Sequence, residues 1–337
     1  MRRSRIHFWR LLVAVFVAGT AVPAAAAPKP KPTPTPTSSV TPTKTPTAIP
    51  TPTRTPTPQL GAVSVTITDP VAGANVTSDR YTVRGTFSGP ANTGVTVNDV
   101  VAYTTNGRFA INDVSLVAGA NTLTAVATGP TGQSATSAVD ITAAGTPAIL
   151  TLKADRTNGI VPLTITFTYD FRSTVPINKL MMDFDGDGRD DLRTVKAPTS
   201  VQNTYTRADL YVATLTIIDS GGHTYKANLA VDARTSDASD SLFRSVWDPM
   251  NAALSRGDVN GALVYLNSRA QGQYARVFNE LISDMPAIVA SYSAPQRVSI
   301  EANYLEYAIN RLIDGENQIF FVYLLRDGDG VWRMDSM

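Results

Sequence analysis

The sequence predicts a multidomain chain, with two all-β modules followed by a small α+β domain. Between residues 63 and 233, short runs alternate apolar and polar residues and are separated by turn residues, a pattern typical of β-sandwiches. After Thr235, apolar residues recur at helical spacing, and from about residue 297 the alternation typical of strands returns. Residues 1–60 show neither pattern.

Residues 1–26 are predicted to form a signal peptide. Their first ten residues hold four arginines, residues 11–17 are apolar, and a run of alanines at 24–27 supplies small residues for cleavage. An uncleaved membrane anchor is the alternative, but the apolar run is short for a full membrane span. We therefore expect an exported protein that is periplasmic, on the cell surface or secreted, and not an integral membrane protein after signal cleavage.

Residues 27–60 are dominated by proline and threonine. Because proline fixes φ and lacks a backbone donor, we expect an extended polyproline-II stalk here instead of a helix or a sheet. At about 3.1 Å per residue, such a stalk would reach on the order of 100 Å. Its expected role is to hold the folded modules away from whatever the N-terminus contacts.

Composition excludes several kinds of site. The chain has no cysteine, which rules out disulfides and thiolate metal sites. Signal cleavage would leave His223 as the only histidine, which excludes a multi-histidine zinc site and makes an exposed turn residue its simplest interpretation. Residues 61–337 carry 21 basic residues (29 − 8) and 28 acidic ones, and this formal charge of −7 disfavours nucleic acid as a partner.

The segment 61–144 is predicted to be the first β module, with strand-like runs at 63–67, 81–85 and 121–126. It resembles a bacterial immunoglobulin-like domain, and the residues that carry the resemblance are Asp69-Pro70, Val97-Asn98-Asp99, Phe109 and Ala118-Gly119-Ala120-Asn121-Thr122-Leu123. The family usually has glycine where Asp99 stands. Both residue types suit a tight hairpin turn, so we expect a hairpin at this position.

The segment 145–234 is predicted to be the second β module. It resembles a polycystic-kidney-disease (PKD) domain, itself an immunoglobulin-like sandwich, in the order of Pro162-Leu163, Asp183-Phe184-Asp185-Gly186-Asp187-Gly188, Thr204-Tyr205 and the run 211–219. Met182 stands where the family commonly has tryptophan, and Ala208-Asp209 replaces its usual Pro-Gly. The resemblance implies an extracellular role in spacing, protein contact or the support of polysaccharide-active enzymes.

The acidic run of this module allows two interpretations. Read as a calcium loop, Asp183, Asp185 and Asp187 supply side-chain oxygens at positions one, three and five, Arg189 offers its carbonyl, and Asp191 stands at position nine. Position twelve is threonine instead of the bidentate glutamate of an EF-hand, so any affinity should be weak. The alternative is a polar hairpin end in which aspartate and glycine are present for turn geometry.

The segment 236–337 is predicted to be the α+β domain. We expect a first helix kinked or broken at Pro249, a second helix capped by Asp258, and a third whose apolar stripe runs from Tyr274 to Met285. Strands are expected at roughly 297–313, 317–326 and 331–336. The sequence Asp327-Gly328-Asp329-Gly330 should form the turn between the last two strands.

This element order resembles the nuclear-transport-factor-2-like (cystatin-like) fold, a small α+β cone of three helices on a curved antiparallel sheet. The residues that carry the resemblance are Trp247, Ala252-Ala253-Leu254, Gly257-Asp258, Tyr274, Phe320-Phe321-Val322-Tyr323 and Val331-Trp332-Arg333-Met334. The family includes enzymes with a carboxylate in an apolar pocket, and also non-catalytic binding and dimerising domains.

A ligand pocket in this domain would be lined by Trp247, Tyr274, Phe278, Glu301 and Phe320. Aromatic residues at such spacing also fit a plain core. The candidate pocket acids are Asp284, Glu301 and Glu306, and on one continuous strand Glu301 and Glu306 would point to opposite faces. Neither histidine nor cysteine is available as a partner, so no catalytic residue is predicted.

Two functions remain compatible with the sequence. The first is a non-catalytic exported scaffold or binding protein, in which the β modules act as spacers and present the C-terminal domain to a protein partner or ligand. A homodimer through that domain is one such arrangement. The alternative is an accessory protein of polysaccharide binding or processing that contacts cell-envelope or extracellular glycan, with a C-terminal enzyme as a variant. Calcium is the only cofactor that the sequence suggests.

Overall fold

The computed structural model describes residues 61–301 and 303–337, which are mostly strand, with four helices among them. The expected signal peptide and stalk lie outside the described residues. None of the helices within these two ranges combines the length and the apolar character needed to cross a membrane.

The first module is a sandwich of two sheets. Its strands are β1 (Ser64–Asp69), β2 (Asn75–Val76), β3 (Arg80–Ser88), β4 (Gly94–Val97), β5 (Val100–Val101), β6 (Tyr103–Thr105), β7 (Arg108–Ser115), β8 (Gly119–Thr128) and β9 (Ser134–Ala143). One sheet has the order β1-β3-β7-β6 and the other β2-β9-β8-β4-β5. Alternate residues, such as Val65 and Ile67 from one sheet and Leu123 and Ala125 from the other, are buried between them. The three strand-like runs are thus confirmed as β1, β3 and β8.

Asn98 and Asp99 form the two-residue turn between β4 and β5. Their φ angles are +46° and +65°, and a tight hairpin of this kind requires positive φ at both central positions. The Oδ1 atom of Asn98 also accepts a hydrogen bond of 2.8 Å from the backbone N–H of Thr124. Asparagine and aspartate tolerate this conformation better than most residues, which explains how the expected hairpin forms without glycine.

The second module repeats the arrangement of the first, except that its smaller sheet has three strands instead of four. Its strands are β10 (Leu150–Ala154), β11 (Asn158–Ile160), β12 (Leu163–Phe171), β13 (Ile177–Asp183), β14 (Leu192–Thr194), β15 (Ser200–Tyr205), β16 (Asp209–Asp219) and β17 (Thr224–Arg234). The sheets have the orders β10-β12-β15 and β11-β17-β16-β13-β14. In both modules a short strand, β2 or β11, pairs in parallel with the last strand of the module. Both are therefore sandwiches of the immunoglobulin-like type.

Two residues at which the second module departs from the pattern expected from its sequence have defined positions in the structure. Met182 is buried between the sheets of the second module, where its flexible thioether can adapt to the surrounding side chains. Asp209 opens β16 and forms an ion pair with Arg108 of the first module. The carboxylate at this turn therefore contributes to the contact between the two sandwiches.

The C-terminal domain has four helices followed by a four-stranded antiparallel sheet. The elements are α1 (Ser236–Ser255), α2 (Val259–Leu263), α3 (Ser268–Glu280), α4 (Met285–Ala290), β18 (Gln296–Glu301), β19 (Tyr304–Ile313), β20 (Glu316–Arg326) and β21 (Trp332–Ser336). The strands pair in sequence order, as a meander. The side chain of Asp258 accepts a hydrogen bond from the N–H of Gly261, which confirms the expected helix cap.

The helices differ from expectation at two places. α1 runs without a break through Pro249. A proline inside a helix costs about 3 kcal/mol, but the buried stripe of α1 continues past it through Met250, Ala253 and Leu254, and this packing holds the helix together. The third apolar stripe is also divided, because α3 ends at Glu280 and Met285 begins a separate helix.

The expectation of a single strand over residues 297–313 is also wrong. A turn separates β18 from β19, and the two strands pair with each other, with Glu301 opposite Tyr304 and Ser299 opposite Glu306. A single strand of seventeen residues would have extended beyond the other strands of the sheet. The hairpin instead allows the apolar residues of the segment to pack against the helices. Leu305, Tyr307 and Ile309 of β19 alternate toward the helices and are buried there.

Candidate functional site

The acidic run joins β13 to β14 and forms the end of a hairpin. Asp183 is the last residue of β13, and the backbone N–H of Asp191 donates to the carbonyl of Met182 at 2.8 Å, which closes the loop. The base of the loop is fixed from the core, because the hydroxyl of Tyr205 donates to the carbonyl of Phe184 at 2.8 Å. The loop is thus the polar hairpin end that the sequence allowed.

The carboxylates of the loop accept hydrogen bonds from its own backbone. Asp183 is only 7% exposed, and its two oxygens accept from the N–H groups of Gly186 at 2.7 Å and Gly188 at 2.9 Å. Asp185 and Asp187 each accept from the N–H two residues later. Through these hydrogen bonds, the acidic residues stabilise the conformation of the turn.

Three of the predicted calcium ligands also converge. One oxygen each from Asp183, Asp185 and Asp187 lie within 4.8 Å of one another. Burial, and to a smaller extent the negative charges of the neighbouring carboxylates, raise the pKa of Asp185, although a hydrogen bond from the N–H of Asp187 opposes the shift. Asp191 is used differently, because its carboxylate accepts from the N–H of Phe184 at 2.7 Å, and the N–H of Arg189 donates to Asp187. The cluster therefore offers a cation three carboxylates, each of which retains unused lone pairs.

The five residues predicted to line a ligand pocket do not share one environment. Trp247, Tyr274 and Phe278 are buried in the core between the helices and the sheet. The hydroxyl of Tyr274 donates to the backbone carbonyl of Met337, which ties the helices to the end of the chain. Phe320 packs at the edge of this core, whereas Glu301 is exposed at the end of β18. Packing the aromatic rings against one another buries more apolar surface than lining an open pocket would.

A polar cleft near the start of α1 was not predicted from the sequence. Asp240 of α1 accepts hydrogen bonds from the hydroxyl of Tyr307 on β19 and from Arg297 on β18, the latter at 3.0 Å. Burial, reinforced by this bond to Asp240, raises the pKa of Tyr307. Arg244, one helical turn after Asp240, lines the same cleft. The sequence signals only the Asp240–Arg244 spacing, since Arg297 and Tyr307 reach the cleft through the tertiary fold.

The face of the C-terminal sheet turned away from the helices carries exposed apolar residues and aromatic rings. Leu312 is 67% exposed, Ile319 62% and Phe321 37%. The rings of Tyr304 and Tyr323 stack at a centroid distance of 5.8 Å and an angle of 25°. Burial, and then Glu306 beside it, raise the pKa of Tyr304 to about 12. We call this surface the outer sheet face.

Hydrogen bonds and apolar contacts form a joint between the first sandwich and the second. The side-chain amide of Asn112 donates to the carbonyl of Ala230 at 3.0 Å and accepts from its N–H at 2.7 Å, as a neighbouring strand would. The hydroxyl of Thr105 donates to the buried carboxylate of Asp232 at 2.8 Å. Small apolar side chains complete the joint, with Ala110 packed against Leu210 and Ala230.

The first sandwich is also bonded to the C-terminal domain. Asn92 forms the same kind of reciprocal pair with the backbone of Trp332, at 2.8 Å and 2.9 Å. Arg326 donates to the carbonyl of Ala102 at 2.5 Å, and burial lowers its pKa to about 10. Gly94 lies so close to Gly330 that a Cβ atom on Gly94 would approach its carbonyl carbon to 2.3 Å. The first sandwich therefore holds both other modules.

Neither a family model nor a curated protein matches the chain. Solved structures do match it. The fibronectin(III)-like modules of Clostridium thermocellum CbhA share 18% identity with it and cover 50% of this chain and 94% of their own, with a TM-score of 0.19. Murine CEACAM1b shares 11% identity and covers 51% of this chain and 100% of its own, with a TM-score of 0.21. The chicken CNTN1 FN1-FN3 domains share 11% identity and cover 51% and 68%, with a TM-score of 0.19. At such TM-scores, the fold assignment rests on the sheet order of the chain itself.

Proposed function

We propose that this chain is a non-catalytic exported scaffold that presents its C-terminal domain to a partner. The observation that carries the proposal is the pair of joints made by the first sandwich. In a string of independent spacers, each module would contact only the next one along the chain. Here Asn112 bonds to the second sandwich and Asn92 to the C-terminal domain, so both sandwiches support that domain as parts of one body.

The filled core of the C-terminal domain supports a non-catalytic role. Trp247, Tyr274 and Phe278 occupy the space between helices and sheet where an enzyme would need an open pocket. We also propose the finer family assignments here, a PKD domain for 145–234 and a nuclear-transport-factor-2-like cone for 236–337. Their support is the sandwich strand order of the former and the helices-then-meander order of the latter.

The partner would bind the outer sheet face, as we propose from its exposed apolar residues. Patches of this kind on a folded surface commonly mark protein contacts. Ile319 and Phe321 stand on alternate positions of β20, and Leu312 of β19 lies diagonally next to Ile319, so one flat partner surface could cover all three. A protein is the partner class that fits, and a second copy of the chain is the simplest example.

Sedimentation velocity and co-purification test this proposal. We expect concentration-dependent association of the full chain, or stable capture of an envelope protein, and expect Ile319→Asp to abolish it. Val195→Asp is the control, because Val195 is also an exposed aliphatic residue, at 79%, but belongs to the second sandwich. Binding that persists in Ile319→Asp, or that is lost equally in Val195→Asp, would show that the outer sheet face is not the contact surface.

The aromatic rings of the same face favour glycan binding as a second candidate function. Phe321 and Tyr323 lie 6.5 Å apart at 30°, and Tyr323 continues the row to Tyr304. Nearly coplanar rings can stack on the C–H faces of successive sugars. A pull-down with insoluble polysaccharides distinguishes the two candidates: retention that Tyr323→Ala removes supports the glycan function, and a lack of retention leaves the protein partner.

For the acidic loop we propose weak calcium binding that stiffens the end of the second sandwich. The convergence of Asp183, Asp185 and Asp187 is the observation that favours it. A divalent cation would relieve the repulsion among these carboxylates. Since the loop lies at a hairpin end, such an ion would stabilise the scaffold and take no part in chemistry.

A further inference from the structure

The cleft beside the first turns of α1 has features of a binding site for a small anion. Its volume is about 270 Å³, at the lower limit for small-molecule sites, so it suits one small ligand. Phe243 and Tyr307 stack below it but are only 1% and 3% exposed. The accessible wall is therefore formed mainly by charged and polar groups, and a ligand there must itself be polar.

The charges of the cleft define the ligand further. Two arginines, Arg244 and Arg297, and one carboxylate, Asp240, line the cleft, which gives a local charge of +1 within a body whose formal charge is −7. Arg297 is already paired with Asp240. Arg244 is exposed and has no acidic partner within ion-pair distance among residues 61–301 and 303–337. An excess positive charge that faces a cleft matches a single negative charge on a ligand.

Asp240 adds a second requirement. Its carboxylate accepts from the Tyr307 hydroxyl and from Arg297, and a carboxylate has capacity for further donors. A ligand that carried a second negative charge near this carboxylate would be repelled. A hydroxyl group on the ligand would instead find an acceptor here. The cleft therefore distinguishes a hydroxylated monoanion from a dianion such as phosphate.

We propose that this cleft binds a small hydroxycarboxylate. The ligand carboxylate would lie against the guanidinium of Arg244 and the outer edge of Arg297, and its neighbouring hydroxyl would donate to Asp240. Sugar acids and short hydroxy acids share this chemistry. The site involves none of the residues of the outer sheet face, so it is independent of the proposed partner contact.

Ligand-detected NMR titrations on the full chain test the proposal. The probes are glucuronate and lactate, with glucose as the hydroxyl-only control, acetate as the carboxylate-only control, and inorganic phosphate as the dianion. We expect at least one hydroxycarboxylate to bind about tenfold more tightly than all three controls. Binding of glucuronate would identify sugar acids as the ligand class, and binding of lactate would identify short hydroxy acids.

Variants of arginine locate the site. Arg244→Ala should weaken binding of the hydroxycarboxylate about tenfold. Arg276→Ala, which removes another exposed arginine from a helix of the same domain, should leave it unchanged. Because Arg244 is exposed, its removal should not unfold the domain, and a circular dichroism melt checks this. Equal affinity in the wild type and Arg244→Ala, tighter binding of phosphate, or no binding of either hydroxycarboxylate would overturn the proposal.

Discussion

The two sandwiches share the strand order of their five-stranded sheets but use the same hairpin of that sheet differently. In the first, β4 and β5 are joined by the two-residue turn Asn98-Asp99, and all four residues of β4 are buried, with Gly94 against the C-terminal domain. In the second, the equivalent strands β13 and β14 are joined by an eight-residue loop that carries the acidic cluster. The alternation of apolar residues determines the sandwich fold in both modules. The hairpin ends differ, and this difference distinguishes one sandwich from the other.

The largest expected change in stability comes from a substitution that disrupts the contact between the first sandwich and the C-terminal domain. In Gly94→Ala, the new Cβ would lie 2.3–2.5 Å from backbone atoms of Asp329, Gly330 and Val331. Backbone cannot move aside cheaply, so we expect a loss of about 3 kcal/mol in the free energy of unfolding. Chemical denaturation measures this loss.

The matched control is Gly272→Ala on α3, where a Cβ meets no atom within 4 Å. This substitution should raise stability by up to about 1 kcal/mol, because alanine favours helix. If Gly94→Ala were as harmless as the control, the close contact between β4 and the C-terminal domain would be refuted.

The next prediction distinguishes the structural role of the carboxylates in the acidic loop from their proposed role in calcium binding. Asp183→Ala leaves the N–H groups of Gly186 and Gly188 without their acceptor, so we expect it to cost about 2 kcal/mol even in the absence of calcium. Asp187→Ala removes an exposed carboxylate and should change stability by less than about 0.5 kcal/mol in the absence of calcium. Urea denaturation in chelator compares the two. Equal costs would mean that the buried carboxylate does not organise the loop.

Calcium should give a smaller stabilisation that only the second sandwich experiences. With a dissociation constant of about 1 mM, calcium at about 10 mM would add about 1.4 kcal/mol. Differential scanning calorimetry should show this as an upward shift of the melting transition, absent in Asp185→Asn.

The pH dependence of this shift follows from Asp185, whose pKa is raised. The folded loop holds a proton on Asp185 more readily than the unfolded chain does, and that stabilisation is lost as pH rises through the raised pKa. A cation competes with this proton, so the calcium shift should be full at neutral pH and shrink as the solution is acidified. An equal response of Asp185→Asn to calcium would contradict binding at the cluster.

Local features of the fold were predictable, and contacts between distant segments were not. The all-β character of both sandwiches, several of their strands and the Asp258 cap followed from alternation and from side chains that bond to their own backbone neighbours. The continuity of α1 through Pro249 depends on a core that sequence spacing does not display. Asn92 and Trp332 are 240 positions apart, and nothing near either residue signals their reciprocal bonds. The same holds for the cleft, since its members come from α1, β18 and β19.

The smallest expected effect concerns the turn of the first sandwich. Asp99 has a φ of +65°, so Asp99→Gly would remove backbone strain but also increase the freedom of the unfolded chain. These two effects oppose each other, and we expect a net change within about 0.5 kcal/mol by urea denaturation. Asp99→Val should instead cost about 1–2 kcal/mol, because a β-branched residue is poorly accommodated at positive φ. If valine were as harmless as glycine, the β4–β5 turn would not depend on this conformation, and its contrast with the glycine-containing acidic loop would lose its physical basis.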